Sequence, residues 1–191
     1  MNTRNEDSLI MKPLTPELWA DFENLFGPRG AGGCWCMWWR VTREEFRKNQ
    51  GKGNRLAIKK IVDSGQVPGL VAYKEGNPCG WCSIAPREEF ASLERSRILK
   101  RIDGEAVWSL VCFFVHKKYR GENLLEKIIT GAIDYVKSKG GKIIEAYPAP
   151  DRKEKRAPAS AYMGIAKVFT RTGFKEMNRP SKNKIIMRCY L

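Results

Sequence analysis

Apolar positions change their spacing several times along this chain, and each change marks an element. Residues 107–115, VWSLVCFFV, hold one polar side chain in nine and are rich in β-branched and aromatic residues. That is the pattern of a strand covered on both faces. Further on, Leu124, Leu125, Ile128, Ile129, Ala132, Ile133 and Val136 recur at helical intervals, with Glu126, Lys127, Asp134 and Lys137 opposite them. The spacing predicts an amphipathic helix of roughly 16 residues, about 24 Å long. Gly140-Gly141 ends it, and KIIEAYP, residues 142–148, reads as another strand. A crossover of this length makes the two strands parallel neighbours joined with right-handed sense.

Upstream, residues 8–13 suit a first strand, and TPELWADFENLF a helix with Thr15 at the N-cap and Pro16 at its first position. GPRGAGG, residues 27–33, predicts a flexible loop. TREEFRKNQ and NRLAIKKIVDSG offer two short helices, the second closed by Gly65. GLVAYKEGNP and CGWCSIAP read as neighbouring strands joined at Gly76-Asn77-Pro78, and the charged stretch REEFASLERSRILKRIDGE as a loop or short helix. The expected whole is an α+β fold of the three-layer type in one domain, residues 1–191. It has a mixed, mostly antiparallel central sheet, a parallel βαβ unit over residues 107–147 and helices on both faces.

A chain of 191 residues with 42% hydrophobic and 29% charged residues can bury a core, which excludes disorder as its main state. No run approaches the roughly 18 apolar residues of a membrane span, so a soluble, cytoplasmic protein with no membrane partner is expected. The formal charge of +14 favours polyanions, nucleic acid included, yet the basic residues are spread along the chain and equally suit a solvated basic surface. Six cysteines include Cys34/Cys36 and Cys79/Cys82, spacings that could supply four zinc ligands. Buried free thiols are the other reading, and no metal is expected. GGCWCMWWR, residues 32–40 without Ala31, carries Trp35, Trp38 and Trp39, which are three and four apart. If helical, they form one aromatic face, either core or the wall of a ligand site.

The loop HKKYRGE lies between the buried strand and its helix, where unpaired N–H groups and the positive dipole end collect. Lys117, Lys118 and Arg120 add charge there, which points to a phosphate-bearing ligand. The loop is neither GxGxxG nor GxxxxGK[ST], so dinucleotide and P-loop sites lose support. The lone His116 follows the strand and reads as a structural or solvated residue.

The run FFVHKKYRGENLLEKIITGAIDYVKSKGGKIIEAYP resembles the acetyl-CoA-binding core of the GNAT superfamily of N-acyltransferases, whose loop follows Q/R-x-x-G-x-G/A. AYMGIAKVFTRTGFKEM resembles the superfamily's next helix and its GF turn into a strand. The resemblance spans residues 66–191 as a cofactor-binding core and makes residues 14–65 the acceptor-side segment. It implies that the backbone of Phe113, Phe114 and Val115 meets the pantetheine arm and that Arg120, Gly121, Glu122, Asn123, Leu124 and Leu125 hold the pyrophosphate. Asn123 and Leu125 stand where glycine, and glycine or alanine, are usual. Asn is the non-glycine residue that best tolerates left-handed backbone, so Asn123 can keep the loop's shape.

The usual strand carboxylate position falls on Ser109 and the usual tyrosine position on Phe169, which is assigned to the cofactor cleft instead. Glu145 and Tyr147 are two apart, hence on one side of a strand, and are candidate base and acid; a solvated Glu beside a half-buried Tyr is the alternative. Tyr162, seven residues before Phe169 and so on the same helical face about 10 Å along the axis, is a third candidate or a wall of the cofactor cleft. DRKEKRAP, residues 151–158, could meet the 3′-phosphate of CoA or an acidic acceptor, or be a charged loop.

Two functions follow. One is transfer of an acetyl group from acetyl-CoA to a primary amine, small molecule or peptide, with Trp35, Trp38 and Trp39 as candidate acceptor contacts. The other is a catalytically degenerate nucleic-acid-binding or regulatory module on the same scaffold, which the +14 charge and the missing acid and base support. A monomer and a homodimer both remain open.

Overall fold

The computed structural model describes residues 9–120, 123–150 and 163–191. The chain opens with β1 (Ile10–Pro13), whose end leads through Thr15 and Pro16 into a 3-10 turn and then α1 (Trp19–Phe26). Pro16 sits at the first helical position, where its missing N–H costs nothing. Next come α2 (Gly30–Gly33), α3 (Arg43–Lys48) and α4 (Lys52–Asp63). Thr42 and Glu45 close a capping box on α3, each bonding the other's backbone N–H.

The hairpin of β2 (Leu70–Lys74) and β3 (Asn77–Pro86) turns on Glu75 and Gly76, both at positive φ, one residue earlier than the sequence pattern predicts. The charged stretch after β3 holds a 3-10 turn and α5 (Ala91–Glu94), and then β4 (Trp108–Val115) begins. After a third 3-10 turn, α6 (Leu124–Ser138) crosses to β5 (Ile143–Ala146). The chain ends with α7 (Ala166–Arg171), β6 (Lys175–Ser181) and β7 (Lys184–Tyr190).

Among the described residues the strands form one seven-stranded sheet in the order β1-β2-β3-β4-β5-β7-β6. Every pairing is antiparallel except β4 with β5, the βαβ unit that the helical crossover predicts. On one face α6 lays Leu124, Ile128, Ile129, Ala132 and Val136 over Leu70, Ile84, Leu110 and Ile144. The other face packs α1 and α4 through Phe22, Phe26, Ile58 and Val62 onto Val71, Tyr73 and Trp81. Each such side chain contributes about 1.5–3 kcal/mol by leaving water, so these two layers hold the sheet at its centre.

The stretch 27–40 departs from its expectations. GPRGAGG is a closed set of turns, with Gly30 N–H donating to the Gly27 carbonyl at 2.9 Å and Trp35 N–H to the Gly30 carbonyl at 3.1 Å. Gly30 has φ +53, and a Cβ there would lie 2.0 Å from the Trp35 indole nitrogen, so only glycine fits. The tryptophan run is a series of turns, with Trp35 (φ 47) and Cys36 (φ 58) left-handed, and forms no aromatic helical face.

Candidate active site

β4 and β5 share three residue pairs, Trp108↔Ile144, Ser109↔Glu145 and Leu110↔Ala146, and then part. β4 runs on to Val115 with β3 alone beside it. At the parting, the β3 register passes from Ser83↔Cys112 to Ile84↔Leu110 and leaves Val111 as a bulge. Bulges bend a strand and re-aim its groups, and this one sits where the sheet opens. A cavity of about 780 Å³ lies there. Val111, Cys112, Phe113 and Phe114 form one side, the turns carrying Trp38, Trp39 and Thr42 a second, and residues 92–99 a third. Phe26, Ala31, Cys34, Cys36, Arg43, Met163 and Lys184 also line it. The volume suits a small molecule.

A shallower groove of about 290 Å³ lies at the start of α6, lined by Val115, Tyr119, Arg120, Asn123, Leu124, Leu125 and neighbours. Asn123 is left-handed, φ 52 and ψ 22, and its side chain makes no cap bond, so it leaves the first N–H groups of α6 uncapped by a side chain. The Arg120 guanidinium reaches back to the Val115 carbonyl at 3.3 Å. The geometry that Asn123 was expected to tolerate is the geometry it has.

Glu145 and Tyr147 do meet: the phenol donates to Glu145 Oε1 at 2.7 Å. They meet in the interior, and neither lines the cavity. Arg87 Nη1 reaches Glu145 Oε1 at 2.6 Å and Tyr147 Oη at 2.7 Å, while Arg188 Nε donates to Glu145 Oε2 at 2.8 Å. Arg87 also bonds Glu94 and the Leu99 carbonyl, Arg188 bonds Asp103, and Ser109 Oγ lies 2.9 Å from Tyr147 Oη. Both carboxylate oxygens thus accept hydrogen bonds from guanidinium groups, within the interior and away from the cavity lining. Burial beside that carboxylate raises the Tyr147 phenol well above its ordinary pKa, so it stays protonated. The network ties the 87–103 segment to β4, β5 and β7 behind the cavity.

Among the tryptophans, Trp35 is core, stacked on Phe26 at 5.7 Å between centroids. Trp38, 40% exposed, and Trp39 line the cavity. Trp38 is held by Phe46 edge-on at 5.0 Å, with Arg43 over its face. Phe113 and Phe114 line the cavity, whereas Phe169 is fully buried behind Phe113, 5.9 Å away between centroids. Gly121, Glu122, Tyr162 and the 151–158 run lie outside the described residues. Cys79 and Cys82 are buried in β3 and do not line the cavity, whereas Cys34 and Cys36 do. Cys36 Sγ lies 3.5 Å from Cys112 Sγ and accepts the Trp81 indole N–H at 3.0 Å. Its contact with Cys112, with burial second, holds the Cys36 thiol well above its ordinary pKa, and burial pushes Cys34 up to about 11.

Several site residues were not anticipated. Arg188 could have been noticed as a cation inside the otherwise apolar run IIMRCY, a position that requires a buried partner. Arg87, Lys184 and the arginines of residues 92–99 carry no local signal that separates them from the other basic residues. Burial lowers the Lys184 ammonium pKa, and its Nζ contacts Met163 Sδ at 3.7 Å.

Similar solved structures share this architecture. An acetyltransferase of the GNAT family from Streptococcus agalactiae matches with a TM-score of 0.58 at 10% identity, over 97% of this chain and 96% of its own. AAC(6')-Ib in complex with ribostamycin and coenzyme A matches with 0.59 at 14%, over 96% and 94%. The PaiA N-acetyltransferase of Thermoplasma acidophilum, in complex with coenzyme A, matches with 0.53 at 14%, over 96% and 99%. At these identities the likeness establishes the fold. A search of curated proteins found no match. The model of the acetyltransferase (GNAT) family matches residues 33–157, the span that holds the parted strands, the bulge and the α6 groove, and the chain therefore belongs to the GNAT acetyltransferase family.

Proposed function

We propose that this protein transfers an acetyl group from acetyl-CoA to a primary amine by direct attack, with residues 66–191 holding the donor and residues 14–65 framing the acceptor. The parting of β4 from β5 beside the Val111 bulge carries the reading, because it exposes an extended main chain to a cavity that joins both halves. The main chain of Phe113, Phe114 and Val115 would pair with the pantetheine arm as an added strand. Arg120, Asn123, Leu124, Leu125 and the uncapped start of α6 would hold the pyrophosphate, a role that the family resemblance extends to Gly121 and Glu122. Phe169 supports Phe113 from behind.

Acetyl-CoA supplies the activated acyl group, as a thioester. In the reaction the amine forms a C–N bond to the acyl carbon, the C–S bond breaks, and the acceptor's proton leaves to solvent. The unpaired main chain at the bulge would stabilise the developing oxyanion. Lys184, a cavity cation whose ammonium pKa is lowered by burial, would give the departing thiolate its proton and regain one from water. Glu145 and Tyr147 act as positioning residues: with Arg87 and Arg188 they fix where the two strands diverge. Tyr162 stays a candidate proton donor by resemblance.

Thiol release measured with acetyl-CoA and a panel of primary amines tests the reading, with Lys184→Met expected to lower kcat at least tenfold while acetyl-CoA still binds. The +14 charge supports the second reading, a degenerate nucleic-acid module. RNA or DNA binding that falls steeply with salt, with no turnover on any amine, would decide for it.

A further inference from the structure

The charged groups that line the 780 Å³ cavity are all positive: Arg43, Arg95, Arg97 and Lys184, with no Asp or Glu among the described lining residues. This is a local arrangement rather than a sample of a basic surface, because the carboxylates nearby are already engaged. Glu94 and Glu145 hold Arg87, Glu88 holds Arg101, and Glu89 holds Arg40. Glu45 lies close enough to feel Arg95, but its Oε2 accepts the Thr42 backbone N–H at 2.8 Å and hydroxyl at 2.7 Å. Arg43, Arg95 and Arg97 are exposed, and their side chains form no hydrogen bond or ion pair with a described residue; Arg43 contacts the Trp38 face. Trp39, Leu99, Met163 and Phe113, all more buried than these arginines, supply apolar surface.

A polycationic amine entering this cavity would meet four like charges and no counter-charge among the described lining residues, which is a strong penalty against it. An amine with an apolar body and its own anionic group meets complementary charge, and guanidinium pairs bind carboxylates and phosphates with two parallel N–H donors. We infer that the acceptor is a small primary amine that also carries a carboxylate or phosphate, recognised by Arg95, Arg97 and Arg43 of the cavity lining. The inference rests on the acyltransferase reading for the word acceptor; the cavity's preference for anions stands on the lining alone.

The test uses probes that share an aminomethylbenzene body and differ in the charged group opposite the amine: 4-(aminomethyl)benzoate with its near-isosteric neutral 4-(aminomethyl)benzamide, 4-(aminomethyl)benzylamine and 4-(aminomethyl)benzyl phosphate. Binding of each to the full chain saturated with CoA is measured by calorimetry, and turnover by thiol release from acetyl-CoA. The carboxylate or the phosphate is expected to bind at least tenfold more tightly than the amide, and the diamine most weakly. The better of the two anions names the source of the charge. Arg95→Gln combined with Arg97→Gln is expected to erase the advantage over the amide and to leave the KM for acetyl-CoA within twofold. Equal binding of all four, preference for the diamine, no binding of either anion at 10 mM, or a raised acetyl-CoA KM in the double variant would each overturn the inference; the last would assign these arginines to the donor's phosphates. Anion binding without any stabilisation by acetyl-CoA would instead overturn acyl transfer and leave the anion preference intact.

Discussion

Glu145 shows how little room a buried carboxylate has for a second task. Its two oxygens satisfy Arg87, Arg188 and Tyr147, and all four side chains are almost wholly withdrawn from water. Removing one partner strands the others, so Glu145→Ala is expected to cost about 3–5 kcal/mol in chemical denaturation. Tyr147→Phe removes one partner from Ser109, Arg87 and Glu145 and is expected to cost about 1–3 kcal/mol. A Glu145→Ala variant that kept full stability but lost turnover would restore the residue to the chemistry. Gly30→Ala is expected to cost about 1–3 kcal/mol and to shift tryptophan emission, because its methyl would collide with the Trp35 indole. The pairing of Glu145 with Tyr147 was readable in the two-residue alternation of KIIEAYP. The arginines that claim them were not, since 58 and 43 residues separate them from Glu145 and no local period encodes a contact across a sheet.

At the scale of elements, the αL start of α6 shapes the groove, and the clamped 87–103 segment forms one side of the cavity. Asn123→Gly is expected to leave stability and acetyl-CoA affinity near those of the parent chain, and Asn123→Val to weaken both, by about 1–2 kcal/mol in stability, because a β-branched residue resists φ 52. The segment's ion pairs predict an acid limit. Hydrogen bonds from Arg188 hold Asp103 below its ordinary pKa, and those from Arg101 do the same for Glu88. A carboxyl depressed in the folded state binds fewer protons there than in the unfolded chain. The stability from Asp103 and Glu88 is therefore complete above the ordinary carboxylate values of about 3.9–4.3 and is lost as pH falls through the lower folded values. Urea midpoints should hold from neutral pH down to about 5 and then drop, and Asp103→Asn should remove part of the drop. The βαβ unit was readable because fifteen residues of helical period leave few alternatives. The left-handed turns at 30–36 were not, because helical spacing of three tryptophans says nothing once the backbone leaves the helix.

For the whole molecule, a seven-stranded sheet with helices on both faces is a common solution, and the place where two parallel strands part makes it specific. The hydrophobic pattern predicted β1 to β5 and the helices on both faces; β6 came from the family resemblance alone, and β7 was not predicted. The parting escaped it, because it depends on register and on one bulged residue, neither of which changes which residues are apolar. The charge of +14 pointed to anions without saying where, and the structure places four of those cations around one cavity. The most direct test of the central claim is the thermal stability of the full chain with and without acetyl-CoA. A ligand at a hundred times its Kd adds about 2.7 kcal/mol, so the account predicts a rise in Tm of about 5–10 °C at saturating acetyl-CoA. An unchanged Tm at 10 mM acetyl-CoA would contradict it.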